Sequence, residues 1–168
     1  AGLVDDDVLK AMYSAGCSHL VYGLESFDKK ILRKLGKGSS QKANINSVPR
    51  TLEAGIIPVP NIIIGFPEDD FDTIRTTIKY MKLLGIYAKP HFATAYPGSE
   101  WYYSYKESII EQYNGDLEAF ILDLGDASKI TATICHKFTA MELIGLQEIV
   151  LNKDLRLLDL AEQHWAKF

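Results

Sequence analysis

The side chains best suited to chemistry stand where apolar runs of this sequence end. The run His19–Leu24 closes on Glu25 and Ser26, a carboxylate and a hydroxyl that can accept or donate hydrogen bonds. A second run, Ile56–Ile64, carries Asn61 inside it, and a buried amide needs partners. It ends in Gly65-Phe66-Pro67, where glycine lets the backbone approach a ligand closely and proline fixes the turn. Lys37, between Gly36 and Gly38, offers a cation to an anionic group. His91, Thr94, Ala95 and Tyr96 belong to the end of a third run, Ala95 and Tyr96 offering backbone groups. Plainer roles compete with each of these. Ser26 can cap the helix containing Asp28, Lys37 has other bases nearby, and a lone histidine more often serves packing than a ligand. Glu68 reads as structural, bonding backbone amides at a helix start.

Other chemistries are disfavoured. The two cysteines, Cys17 and Cys135, are far apart and lack C-x-x-C spacing, so they read as apolar core residues and not as a disulfide or zinc site. His136 and His164 have no metal-pair spacing. A net charge of −4 argues against nucleic acid, and Trp101, Tyr102, Tyr103 and Tyr105 are expected to pack and not to stack on bases. No apolar run reaches the length of a membrane span, which needs about 18 residues or more. The start, Ala1 to Asp7, has neither an initiator Met nor a leader pattern and reads as a cut in a longer, cytoplasmic protein.

The elements that must position these residues alternate. Three aspartates open a helix that stops at Gly16, and His19–Ser26 is a strand. A short helix follows around Ile31–Leu35. Gln41–Ala54 is another, which Pro49 should kink or force to restart near Ser47. Ile56–Ile64 is a strand whose run Ile62-Ile63-Ile64 suits a parallel position covered on both faces. Asp69 or Asp70 can cap a helix bearing Phe71, Ile74, Ile78 and Met81 on one face, and a third strand should run from about Ile86 to Ala95. Alternating strands and helices imply parallel βα units. The fold class is therefore α/β, a partial (β/α) barrel of three parallel strands with outer helices, followed by a mainly helical region. That region should start with a Tyr-rich helix after Pro97-Gly98-Ser99 and a helix at Leu117–Leu124. Lys129–Lys137 is ambiguous, and a Thr139-Ala-Met-Glu142 capping box opens helices broken near Asn152.

Three stretches fall in one family's order. Tyr22-Gly-Leu-Glu-Ser26 is similar to the end of the fourth barrel strand of radical S-adenosylmethionine (SAM) enzymes. Asn61-Ile-Ile-Ile-Gly-Phe-Pro-Glu68 resembles their fifth-strand pattern, and Tyr96-Pro-Gly-Ser99 the segment after their sixth strand. Met12-Tyr-Ser-Ala-Gly-Cys17 is similar to the usual lead-in to the fourth strand. The resemblance covers about 1–105 and is strongest to enzymes with an upstream cobalamin-binding domain, such as the anaerobic magnesium-protoporphyrin ester cyclases. Phe120–Ala127 and Thr139–Glu142 resemble the C-terminal region of such proteins. The chain departs from the pattern at Asn61, where Gly is usual, and at Ala95, where Pro is usual. It lacks the three-cysteine cluster motif and the G-G-E motif.

The resemblance implies that 1–105 is the C-terminal half of a radical SAM barrel and 106–168 a helical extension. The parent would use SAM and a [4Fe–4S] cluster, with room for cobalamin, to form a 5′-deoxyadenosyl radical, while this chain alone would be inactive. It implies SAM-binding roles for Glu25, Ser26, Lys37, Asn61, Gly65, Phe66, Pro67, Ala95 and Tyr96, with Lys37 meeting the methionine carboxylate. The expected partners are the missing N-terminal half of the barrel and a small-molecule substrate. The open edge at His19–Ser26 invites self-association, or covering of the inner face by the C-terminal helices. Two other readings are an unrelated βα-barrel enzyme that binds flavin or phosphate, for which Gly36–Ser39 is a poor cradle, and a non-enzymatic interaction module.

Overall fold

Two parallel strands set the frame. β1 (His19–Glu25) and β2 (Ile57–Ile64) pair from His19 opposite Ile57 to Gly23 opposite Asn61. The computed structural model describes residues 4–38, 40–125 and 129–165; Ser39 of the glycine stretch and Asp126 and Ala127 of the tail lie outside these. The third strand, β3 (His91–Phe92), pairs in parallel with Ile63 and Ile64, so the sheet order follows the chain order, β1-β2-β3.

β3 is far shorter than the run Ile86–Ala95 led us to expect, and the prolines of β2 explain it. Alternate residues of a parallel strand turn their polar groups to opposite neighbours. The amide of Ile57 donates to Ser18 O at 2.9 Å, so Ile57, Val59 and Asn61 face β1. Pro58 and Pro60 therefore face the β3 side and have no N–H to give it. Pairing there begins only at Ile63, and Ala93 N reaches Ile64 O at 2.9 Å.

The sheet's two faces differ. Tyr22, Leu24, Ile62 and Ile64 point outward into a core shared with Phe71, Ile74, Ile78 and Met81. Those four come from α4 (Phe71–Leu83), which Asp70 and Thr73 open with a capping box. α1 (Asp6–Ser14) precedes β1, and α2 (Lys29–Leu35) and α3 (Gln41–Glu53) link β1 to β2. The expected break in α3 is absent. Pro49 lies on the exposed side of a continuous helix, where water can serve the carbonyl that loses its amide donor. Ile63 is only half-buried, because it faces the inner side. On that side Val21, Ile57 and Val59 are 62%, 52% and 38% exposed, and among the described residues β1 has no neighbour beyond its outer edge.

The C-terminal region does not cross this inner face. α8 (Ala140–Leu151) and α9 (Leu155–Trp165), separated by Asn152 to Asp154, extend the outer layer through Leu143, Leu146, Val150, Leu158 and Ala161. Gln147 Nε2 donates to Pro90 O at 2.7 Å and Lys153 Nζ to Ile86 O at 2.9 Å, fastening α8 and the link after it to the lead into β3. Their apolar residues join the outer core, where burial away from water stabilises them. α5 (Glu100–Ser104), α6 (Lys106–Gln112) and α7 (Leu117–Asp123) share a second core, in which Ile109, Phe120 and Ile134 meet Ile31, Phe66 and Ala95. The stretch 129–137 forms no helix or strand. Cys17 and Cys135 are half-buried free thiols, and Cys135 packs against the edge of the main core.

Both cores thus join residues before and after position 105. Phe120→Ala and Leu146→Ala, at fully buried sites, should each cost about 2–5 kcal/mol and lower a single melting transition. Two separate transitions by circular dichroism would show that the regions fold apart.

Candidate functional site

The bend at the end of β1 places its first functional group. Gly23 pairs with Asn61, but Glu25 pairs with Ile62, so the register slips by one residue at Leu24. Glu25 takes up the slip at φ +62°, a left-handed conformation that a non-glycine residue adopts at a cost of roughly 1 kcal/mol. The bend directs the Glu25 carboxylate over Gly23, where an added Cβ would lie 2.7 Å from Glu25 Oε1. Lys37, held between the left-handed Gly36 and Gly38, reaches over to pair with that carboxylate. Glu25 is 6% exposed, so the ammonium is its main compensation for burial.

These groups form one end of a cleft of about 400 Å³ at the C-terminal ends of the strands. Asn61, Ile63, Phe66, His91, Phe92, Ala93, Thr94, Tyr96, Leu35 and Trp101 complete its lining. Phe66 and Trp101 stand with ring centres 5.9 Å apart. His91 Nδ1 is buried with no hydrogen-bond partner.

Of the residues expected at the site, Glu25, Lys37, Asn61, Phe66 and Tyr96 meet in this cleft. Ser26 turns away. Its hydroxyl lies 3.2 Å from Thr77 Oγ1 and accepts from Asp28 N at 3.0 Å, bracing the entry to α2. The true cap of α2 is Asp28, which accepts from Lys30 N and Ile31 N. Gly65 has φ +87°, but the space left by its missing side chain faces Leu143 of α8, 3.1 Å from where a Cβ would sit. Close approach there serves packing against α8. Pro67 lines a neighbouring cleft with Glu68, Trp101 and Tyr105, and Ala95 is buried in the second core.

Asp69 does the work expected of Glu68. Its Oδ2 accepts from Gly65 N at 2.9 Å and Phe66 N at 3.0 Å, and its Oδ1 accepts from the Thr73 hydroxyl at 2.7 Å. Glu68 instead pairs with Lys34 at 3.6 Å. Burial pushes the Asp69 carboxyl from 3.8 up to about 7, against the pull of its three donors. The neutral acid also fits, since Oδ1–H can donate to Thr73 Oγ1 while the Thr73 hydroxyl turns to Asp70 O, 2.9 Å away. Nothing in the sequence separated Glu68 from Asp69 except distance to the capped helix. Trp101, expected only to pack, also walls the cleft.

The donor set suits a ligand that is charged at one end and neutral but polar at the other. Among the described residues no group of three or more His, Cys, Asp or Glu side chains is arranged to hold a metal ion.

Residues 1–81 match the model of the radical SAM superfamily. This part of the chain belongs to that superfamily. The chain is 34% identical over 112 residues to an uncharacterized methyltransferase of Pyrococcus horikoshii, covering 66% of this chain and 24% of that protein. It is 30% identical over 122 residues to the bacteriochlorophyllide d C-8(2)-methyltransferase of Chlorobaculum tepidum, covering 67% of this chain and 27% of that one. It thus spans about a quarter of the length of these curated relatives.

Because the folded Asp69 holds its proton to about pH 7 and the unfolded one only to 3.8, this group contributes stability below about pH 4 that is lost as pH rises through 7. Asp69→Asn cannot ionise, so its stability relative to wild type should improve from pH 4.5 to 7.5 in urea titrations. Parallel pH profiles for the two proteins would refute the assignment.

Proposed function

We propose that this chain is the C-terminal half of the barrel of a radical SAM enzyme, supplying part of the SAM pocket and of the substrate wall. One observation carries the reading: Glu25, Lys37, Asn61, Phe66 and Tyr96, distant in sequence, line a single cleft at the strand ends, where βα barrels bind their ligands. The family match and the methyltransferase names of the relatives support it, and favour a parent that transfers a methyl group. Bound SAM and a [4Fe–4S] cluster supply the radical chemistry in such a parent. The described residues offer no thiolate trio for the cluster. Its ligands, and any cobalamin, therefore belong on this proposal to the parent's other segments, and the chain alone is inactive.

The residues present fit SAM. Lys37 meets the methionine carboxylate, Glu25 accepts from the ammonium or a ribose hydroxyl, and Asn61 bonds the sugar. Phe66 and Trp101 exclude water from the adenine side. Glu25→Gly and Lys37→Met should each weaken SAM binding about tenfold or more, read by saturation-transfer NMR. Their stabilities should diverge. Glu25→Gly removes the left-handed strain and leaves Lys37 to water, so its melting temperature holds or rises. Lys37→Met strands a buried carboxylate and lowers it. Wild-type SAM binding in both variants would sink the proposal.

The bare inner face is the surface that the preceding strands of the parent would cover. Alone, the chain should self-associate through it, and Val21→Lys with Val59→Lys should leave a monomer by sedimentation. A wild-type monomer at high concentration would count against this part.

A further inference from the structure

His91 is a polar side chain of the cleft to which the SAM reading gives no role. It stands on β3 opposite Ile63 of β2, at the far side of the sheet from Glu25. Its Nδ1 is sealed from water and lacks a partner, and no described residue hydrogen-bonds to either ring nitrogen. Nε2 is therefore the nitrogen that the cleft can reach. An imidazole held this way loses hydrogen bonds on folding and gains none. Nearby, the Thr94 hydroxyl is already spent on Phe92 O at 3.1 Å.

The register lays these groups out as a row. Glu25 is level with Ile62, and His91 with Ile63, so the Glu25–Lys37 pair and His91 lie on strands two spacings apart, about 10 Å. Ile63 and Asn61 lie between them on the same face. One end of the row carries opposite charges and the other a histidine, and the Phe66 and Trp101 rings line the same cleft. An extended SAM matches that polarity, zwitterionic at the methionine end and neutral, heteroatom-rich and aromatic at the nucleoside end.

We infer that His91 Nε2 is the side-chain hydrogen-bond contact for the nucleoside end of the ligand in this cleft. The inference rests on the reading that the cleft takes SAM. The imidazole can donate to a ring nitrogen or accept from a ribose hydroxyl or the exocyclic amine. Methionine alone should leave His91 untouched.

The test is NMR of the uniformly isotope-labelled whole chain, titrated separately with SAM, adenosine and methionine to millimolar concentration. SAM and adenosine should shift the His91 ring nitrogens, while SAM and methionine shift Lys37. SAM that moves Lys37 and Asn61 but not His91 would overturn the inference and leave the SAM reading standing. SAM that moves none of them would overturn both. His91→Phe should melt no lower than wild type, since it removes an unsatisfied nitrogen, and should lose the adenosine shifts at Thr94 and Tyr96 while keeping the methionine shifts at Lys37. A melting temperature several degrees lower, with adenosine shifts intact, would make the imidazole a packing residue and overturn the inference.

Discussion

The Asp69 carboxylate gathers the end of β2, the start of α4 and the aromatic wall of the cleft onto two oxygens. By taking the amides of Gly65 and Phe66 it closes the turn after β2 and sets Phe66 between the cleft and the second core. By accepting from Thr73 it fixes that turn to the first turn of α4. The irregular stretch before α8 depends on the same turn, for His136 N donates to Pro67 O at 3.1 Å and Cys135 Sγ lies 3.7 Å from Asp69 O. Three donors on one buried carboxylate leave the backbone there little freedom. A loop that must hold an aromatic ring against a ligand gains from that restraint.

Patterns set by local chemistry were legible in the sequence. Apolar runs gave β1 and β2, the spacing of Phe71, Ile74, Ile78 and Met81 gave the buried face of α4, and Thr139 with Glu142 gave the start of α8. Properties that depend on a neighbour were not. The length of β3 is limited by which side of β2 Pro58 and Pro60 face, and that is known only once β1 has paired. The continuity of α3 depends on Pro49 facing water. For the site, residue types at strand ends pointed to Glu25, Lys37 and Asn61. They could not tell that Ser26 would turn to Thr77, or that the room beside Gly65 would be taken by Leu143 from a helix some eighty positions away.

Glu25 illustrates how local strain and burial combine. Regular alternation already puts Gly23 and Glu25 on one face, and the slip at Leu24 bends the Glu25 carboxylate back over Gly23. Gly23 is needed because any side chain would occupy the space of the carboxylate. The left-handed turn at Glu25 is held in place by its pairing with Lys37 and by the buried contacts of Leu24 and Phe27 on either side. Local preference is overruled where a ligand group has to be presented.

The paired prolines of β2 give the sheet a gradient of stiffness. Between β2 and β3 the described residues pair only at Ile63 and Ile64, beside the cleft, and no backbone bridge joins them lower down, where Pro58 and Pro60 have no amide to offer. Amide protons should exchange slowly at the laced end and quickly along the approach to β3, which is anchored there by Gln147 of α8 and Lys153 of the link to α9. The seam behaves like a zip fastened at its top. Small rotations of β3 and the helices attached to it would pivot about the ligand end, opening the far side of the sheet while the row from Glu25 to His91 keeps its spacing.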